Sequence, residues 1–179
     1  MKTKNLLMIL FLFSVSFAIA QEADYTKEPG YFDYGKITNL KTGEMITEVY
    51  LEEPLIKMVA KMAEGEKDGI AEAIGALKLI RVNEFMVDNI ESIEKALLNI
   101  DKELQSSKWS RIIKTKHKDN LANVYVKSGG TNEYVGLMIT SLDKEGKVTL
   151  VNIVGNVSLD SIGKISKEFD LPGMDKDKE

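Results

Sequence analysis

Apolar and polar positions change their spacing several times along the chain, and each change predicts a boundary. Tyr134 to Leu142 and Lys147 to Val154 are rich in β-branched and apolar residues, a composition that predicts two strands. In the first, Val135, Leu137 and Ile139 share one face and Tyr134, Gly136, Met138 and Thr140 the other. In the second, Val151 and Ile153 oppose Leu150 and Val154. Neither face is cleanly polar, so both strands are expected to be central. Helices would cover one side, and a loop, the N-terminal segment or a second subunit the other. Asp143-Lys144-Glu145-Gly146 between them predicts an antiparallel hairpin, with Gly free to take positive φ. After Val154 the apolar spacing lengthens to threes and fours at Leu159, Ile162, Ile165 and Phe169. A tight turn at Gly155 and a helix capped by Ser158 follow from that change.

The same reading applies upstream. Met45 to Leu51 alternates as a strand, and Glu53-Pro54 opens a helix, since proline is tolerated at a first helical position. Leu55, Met58, Val59 and Met62 form one stripe, expected to be core. Ile70, Ala73, Ile74 and Leu77 give a second short helix. Leu79 to Met86 is a strand with Ile80 and Val82 opposite Arg81 and Asn83. Ile90, Ile93, Leu97, Ile100 and Leu104 mark the clearest helix, with Asp88 and Glu91 as a capping box and an end near Ser106-Ser107. Trp109 to Thr115 and Leu121 to Lys127 complete the strands. The expected fold is α+β: a single, mostly antiparallel sheet of about six strands with helices packed mainly on one face, in the order β-αα-β-α-ββββ-α.

The chain has 179 residues, 44% hydrophobic and 29% charged, enough for one domain with a proper core. Its first twenty residues differ from the rest. Lys2 and Lys4 precede an apolar run, Leu6 to Phe17, too short for a comfortable membrane span, and Ala18-Ile19-Ala20 follows. This is the pattern of a cleavable signal peptide, with cleavage expected between Ala20 and Gln21. Cleavage there would leave 159 residues at a formal charge of −6. No cysteine follows the apolar run, so the protein is not expected to be a lipoprotein. The remaining organisation is an extended arm over 21–44 with Tyr31, Phe32 and Tyr34 packed on the domain, one α+β domain over 45–170 and a charged, disordered tail over 171–179.

Chemistry is sparse. The chain has no cysteine and one histidine, which rules out disulfides, thiolate nucleophiles and Cys-ligated zinc. A lone imidazole, His117, in a lysine-rich turn is a poor partner for a serine nucleophile, because neighbouring lysines disfavour its protonated form. Arg81 in mid-strand must face solvent, find a carboxylate or serve a ligand, and the first two readings are preferred. Lys108, Arg111, Lys114, Lys116 and Lys118 make one basic region, read as an edge blunted by lysine rather than as an anion site. One glycine at 155 does not make a phosphate loop. An acidic chain has no electrostatic reason to seek nucleic acid.

Val151-Asn152-Ile153-Val154-Gly155 followed by Ser158-Leu159-Asp160, together with the Trp109 strand and Gly136 at the start of an apolar strand, resembles the bacterial exported family catalogued as domain of unknown function 4252. The resemblance covers roughly Met45 to Ile165. It implies a small α+β domain of the envelope with no established activity, and carries over no catalytic residue, cofactor or metal site.

The functional expectation is therefore an exported envelope protein, periplasmic or extracellular. It would be a non-catalytic module that binds a protein partner or itself, with no catalytic, cofactor or metal residues assigned. A small-molecule or lipid-binding protein, motivated by Met58, Met62 and Met138 near apolar strands, is the alternative. An unrecognised hydrolase with carboxylates gathered beside Arg81 or Arg111 ranks behind both.

Overall fold

The computed structural model describes residues 24–34, 44–65, 69–117, 120–130 and 133–157. The expected signal peptide, the helix expected from Ser158 and the tail lie outside them. Six strands form one antiparallel sheet: β1 (Glu44–Glu52), β2 (Leu77–Met86), β3 (Trp109–His117), β4 (Asn120–Gly130), β5 (Glu133–Leu142) and β6 (Lys147–Val157). Their spatial order is β1-β2-β6-β5-β4-β3. Among the described residues three α-helices accompany it: α1 (Glu53–Met62) and α2 (Ile70–Gly75) between β1 and β2, and α3 (Ile90–Ser106) between β2 and β3. The element order matches the α+β pattern expected from the sequence.

The double-sided apolar character of β5 and β6 is explained by position, since they lie at the centre with both faces covered. Turning the hairpin between them, Asp143 Oδ1 accepts from the backbone N–H of Glu145 and of Lys147, both at 2.9 Å. Gly146 has φ +85°. Tyr50, Arg81, Asn152 and Met138 lie in one row across neighbouring strands, on the face also lined by Phe85, Val148, Leu150 and Tyr125. Leu51, Ile80, Ile153 and Leu137 line the other.

The helices divide between these faces because each has apolar surface to bury. On the first, α3 sets Ile93, Ala96, Leu97, Ile100 and Leu104 against Tyr125, Met138, Leu142 and Leu150. Seventeen residues at about 1.5 Å each span about 25 Å. The four strand spacings from β2 to β3 amount to about 19 Å, so one helix suffices to carry the chain across the sheet to its far edge. The arm covers more of this face, with Phe32 and Tyr34 joining the α3 core and Tyr25 packing on Leu79 and Val154. On the second face Ile56, Ala60 and Ile74 from α1 and α2 pack with Leu77, Ile80, Val151 and Ile153.

Three local expectations are corrected. The N-cap of α3 is Asn89, which accepts from Ser92 N–H at 2.9 Å; the cap therefore falls one residue after Asp88. Gly155 does not end its strand. It sits inside β6 at φ +136° with no room for a side chain beside Ala76 and Leu77, and pairing continues to Val157. Leu77 opens β2 instead of closing α2.

Candidate functional site

Asn152 is wholly buried in the middle of β6, where an amide is tolerated only if its hydrogen bonds are made. They are made to the arm. Phe32 N–H donates to Oδ1 at 3.0 Å, while Nδ2 donates to the carbonyls of Gly30 at 3.0 Å and Leu137 at 3.2 Å. The side chain thus behaves toward Gly30 and Phe32 as a neighbouring strand would. Phe32 then meets Trp109 edge to face, with ring centroids 6.4 Å apart. The expectation that the aromatics of the arm pack on their own domain holds for Phe32 and Tyr34.

Arg81, opposite Asn152 on β2 and half-buried, is set against the rings of the arm. Its guanidinium carbon lies 5.0 Å from the Tyr31 ring centroid and 4.6 Å from that of Tyr34, a cation held by aromatic faces. Nη1 is buried with no hydrogen-bond partner. Tyr34 donates to Asn83 Oδ1, and Asn83 Nδ2 donates to Glu48 at 3.3 Å. Burial, foremost, pushes the Tyr34 phenol up to about 12 against the opposing Arg81 charge. The cluster fastens the arm to the sheet.

The other cationic candidate, Arg111 on β3, donates to Asp101 of α3 at 2.9 Å. Asp101 also accepts from Tyr125 Oη and Gln105 Nε2, both at 2.8 Å. Burial raises the Asp101 pKa, but the Gln105 and Tyr125 hydrogen bonds and the Arg111 charge outweigh it and leave the carboxyl below its usual value. Through Asp101, Arg111 and Tyr125 tie α3 to the sheet, and Gln105 braces the carboxylate from within the helix. His117 is exposed at the end of β3, opposite Asn120. Arg81, Arg111 and His117, the three candidate chemical groups, are therefore not brought together. Among the described residues no cluster of His, Asp and Glu has the grouping needed to hold a metal ion, and no helix is long and apolar enough to cross a membrane.

What the helical spacing misplaced is α1. Its buried residues are Ile56 and Ala60, while Leu55, Met58, Val59 and Met62 face outward, Met58 53% and Met62 80% exposed. The methionines expected to share an apolar space are therefore separated: Met138 is sealed in the core on the α3 face, and the other two stand on the surface. Four large apolar side chains on about two turns of helix form a surface feature of the kind that marks contact sites, and methionine adapts readily to varied partners.

A family model described as Domain of unknown function (DUF4252) matches residues 40–165, well over half of the chain. None of the curated proteins compared with the chain matches it.

Proposed function

Because the chain belongs to this family of unknown function, membership supplies a fold and no reaction, and we propose that the protein is an exported, non-catalytic module that holds another protein through the outer face of α1. The observation that carries this reading is the exposed row Leu55, Met58, Val59 and Met62. A helix buried on one side by Ile56 and Ala60 has no internal use for four apolar side chains on the other. Export is supported by the pattern from Lys2 to Ala20. The absence of a role in catalysis is supported by the way Arg81 and Arg111 are each engaged in fastening one part of the fold to another.

A photo-crosslinking residue placed at Met62 in the full chain, expressed in its native cells, tests the surface. The expected result is one discrete protein adduct that disappears when Met58 is changed to Lys, with no adduct from the same residue at Lys102 on the exposed side of α3. Equal labelling from both positions, or none from Met62, sinks the proposal. Mass measurement of the mature protein tests export, which predicts a chain beginning at Gln21.

A further inference from the structure

The two edges of the sheet are unlike. β1 carries Glu44, Glu48 and Glu52 and no lysine or arginine; β3 carries Arg111, Lys114 and Lys116 and no acid. Among the described residues each pairs with a neighbour on one side only, so each presents a row of free backbone groups. Each edge also leaves large apolar residues exposed, Met45, Ile46 and Tyr50 on β1 and Ile112 on β3.

We propose that copies of this chain join edge to edge, the acidic β1 of one pairing antiparallel with the basic β3 of the next, so that their sheets run on as one. Strand parity permits it. With six strands and every neighbour antiparallel, the edge strands run in opposite directions. A second copy placed alongside in the same orientation therefore presents its β1 antiparallel to β3 of the first, and like faces stay on like sides.

The register follows from the faces. Glu48 and Glu52 lie opposite Asn83 and Leu79 on the arm-covered face. Arg111, Lys114 and Lys116 lie opposite Tyr125, Asn123 and Leu121 on that same face, the irregularity between Arg111 and Ile113 absorbing one residue. Arg111 and Lys116 are thus as far apart along the sheet as Glu52 and Glu48. One register sets Arg111 against Glu52 and Lys116 against Glu48, opposite charges directly across a strand pair. That register also sets Leu51 against Ile113 on the other face. Both are half-buried residues at the rims of the α1-side core, and joining them continues that core from one copy into the next. Arg111 already holds Asp101, so Lys116 carries more of the attraction. Such a contact joins two different surfaces and does not close by itself, so it builds open chains or rings.

This goes beyond the α1 reading and uses other residues. The chain has no cysteine, which makes a direct test available. Residues opposite each other in an antiparallel pair have Cα atoms about 4.5–5.5 Å apart, within disulfide reach. Mature chains carrying Glu48→Cys and Lys116→Cys, mixed and oxidised, are expected to give the mixed 48–116 dimer in preference to either homodimer. By sedimentation the unmodified chain should grow with concentration and shrink as salt is raised. Lys114→Glu with Lys116→Glu should weaken association roughly tenfold or more, and mixing that variant with Glu48→Lys/Glu52→Lys should restore it. Met58→Lys with Met62→Lys should leave it unchanged. A monomer at every concentration, homodimeric cross-links only, or assembly indifferent to the lysine reversals would overturn the proposal. If instead the methionine changes abolish assembly, the edge contact fails while the α1 surface stands.

Discussion

Asn152 donates from its side-chain amide to the carbonyl of Gly30 at 3.0 Å, joining positions 122 residues apart. That contact and its reciprocal from Phe32 let the arm dock on a strand face that has no free backbone groups of its own to offer. Replacing Asn152 with Asp keeps shape and volume but sets a carboxylate against the carbonyls of Gly30 and Leu137. The expected loss is about 3 kcal/mol or more in urea unfolding, with faster cleavage after Lys27 in the released arm. Unchanged stability would mean that the arm does not depend on this amide.

The docking is close enough that side chains are excluded on both partners. A Cβ on Gly136 would lie 2.6 Å from Gly30 Cα and 2.8 Å from both Gly30 O and the Trp109 ring. Backbone cannot yield there without lifting the arm. Gly136→Ala is expected to cost about 1–3 kcal/mol by overpacking and to quench or shift Trp109 fluorescence. Gly130→Ala, which meets nothing within 4 Å, is the control and should leave both readings alone.

Strand existence was legible because β-branched runs bounded by Gly and polar turns admit few other readings. The face of α1 was not. EPLIKMVAKM has apolar residues on opposite sides, and spacing favours Leu55, Met58, Val59 and Met62 as readily as Ile56 and Ala60. What decides is the attachment: α1 begins immediately at the end of β1, so the direction of Glu52 and Glu53 fixes which side meets Ile80 and Leu77. The roles of Arg81 and Asn152 were hidden for another reason. A polar residue inside an apolar run states that a partner is needed, but both partners lie in an arm with no periodicity to announce where it docks.

The helix assignment can be checked by contrast. Ile56 is 2% exposed and Met62 80%. Ile56→Ala is expected to cost about 2–4 kcal/mol through lost burial and the cavity left behind, whereas Met62→Lys should shift stability by no more than about 0.5 kcal/mol. Chemical denaturation of the two single variants decides it. Equal losses would mean that the outer face of α1 is packed in the isolated chain, which also removes the basis for its proposed role as a contact surface.

Alkaline pH should release the arm before the rest of the sheet loses its packing. Burial, opposed by Arg81 and reinforced by Tyr31, Glu48 and Asp33, pushes the Tyr34 phenol from its ordinary value of 10.0 to about 12. The folded state therefore holds the neutral phenol, donating to Asn83, where the unfolded chain would already be ionised. This stabilisation is complete below pH 10 and is withdrawn as pH rises from 10 toward 12, by about 1.4 kcal/mol for each unit. Over the window it amounts to about 2–3 kcal/mol. The Tyr125 phenol is also raised, by burial first and by Asp101, so Tyr34→Phe should make the alkaline decline shallower without abolishing it. Stability measured by urea titration at intervals from pH 9 to pH 12 separates the two variants. Identical slopes would show that the Tyr34 hydroxyl is not held neutral against the sheet.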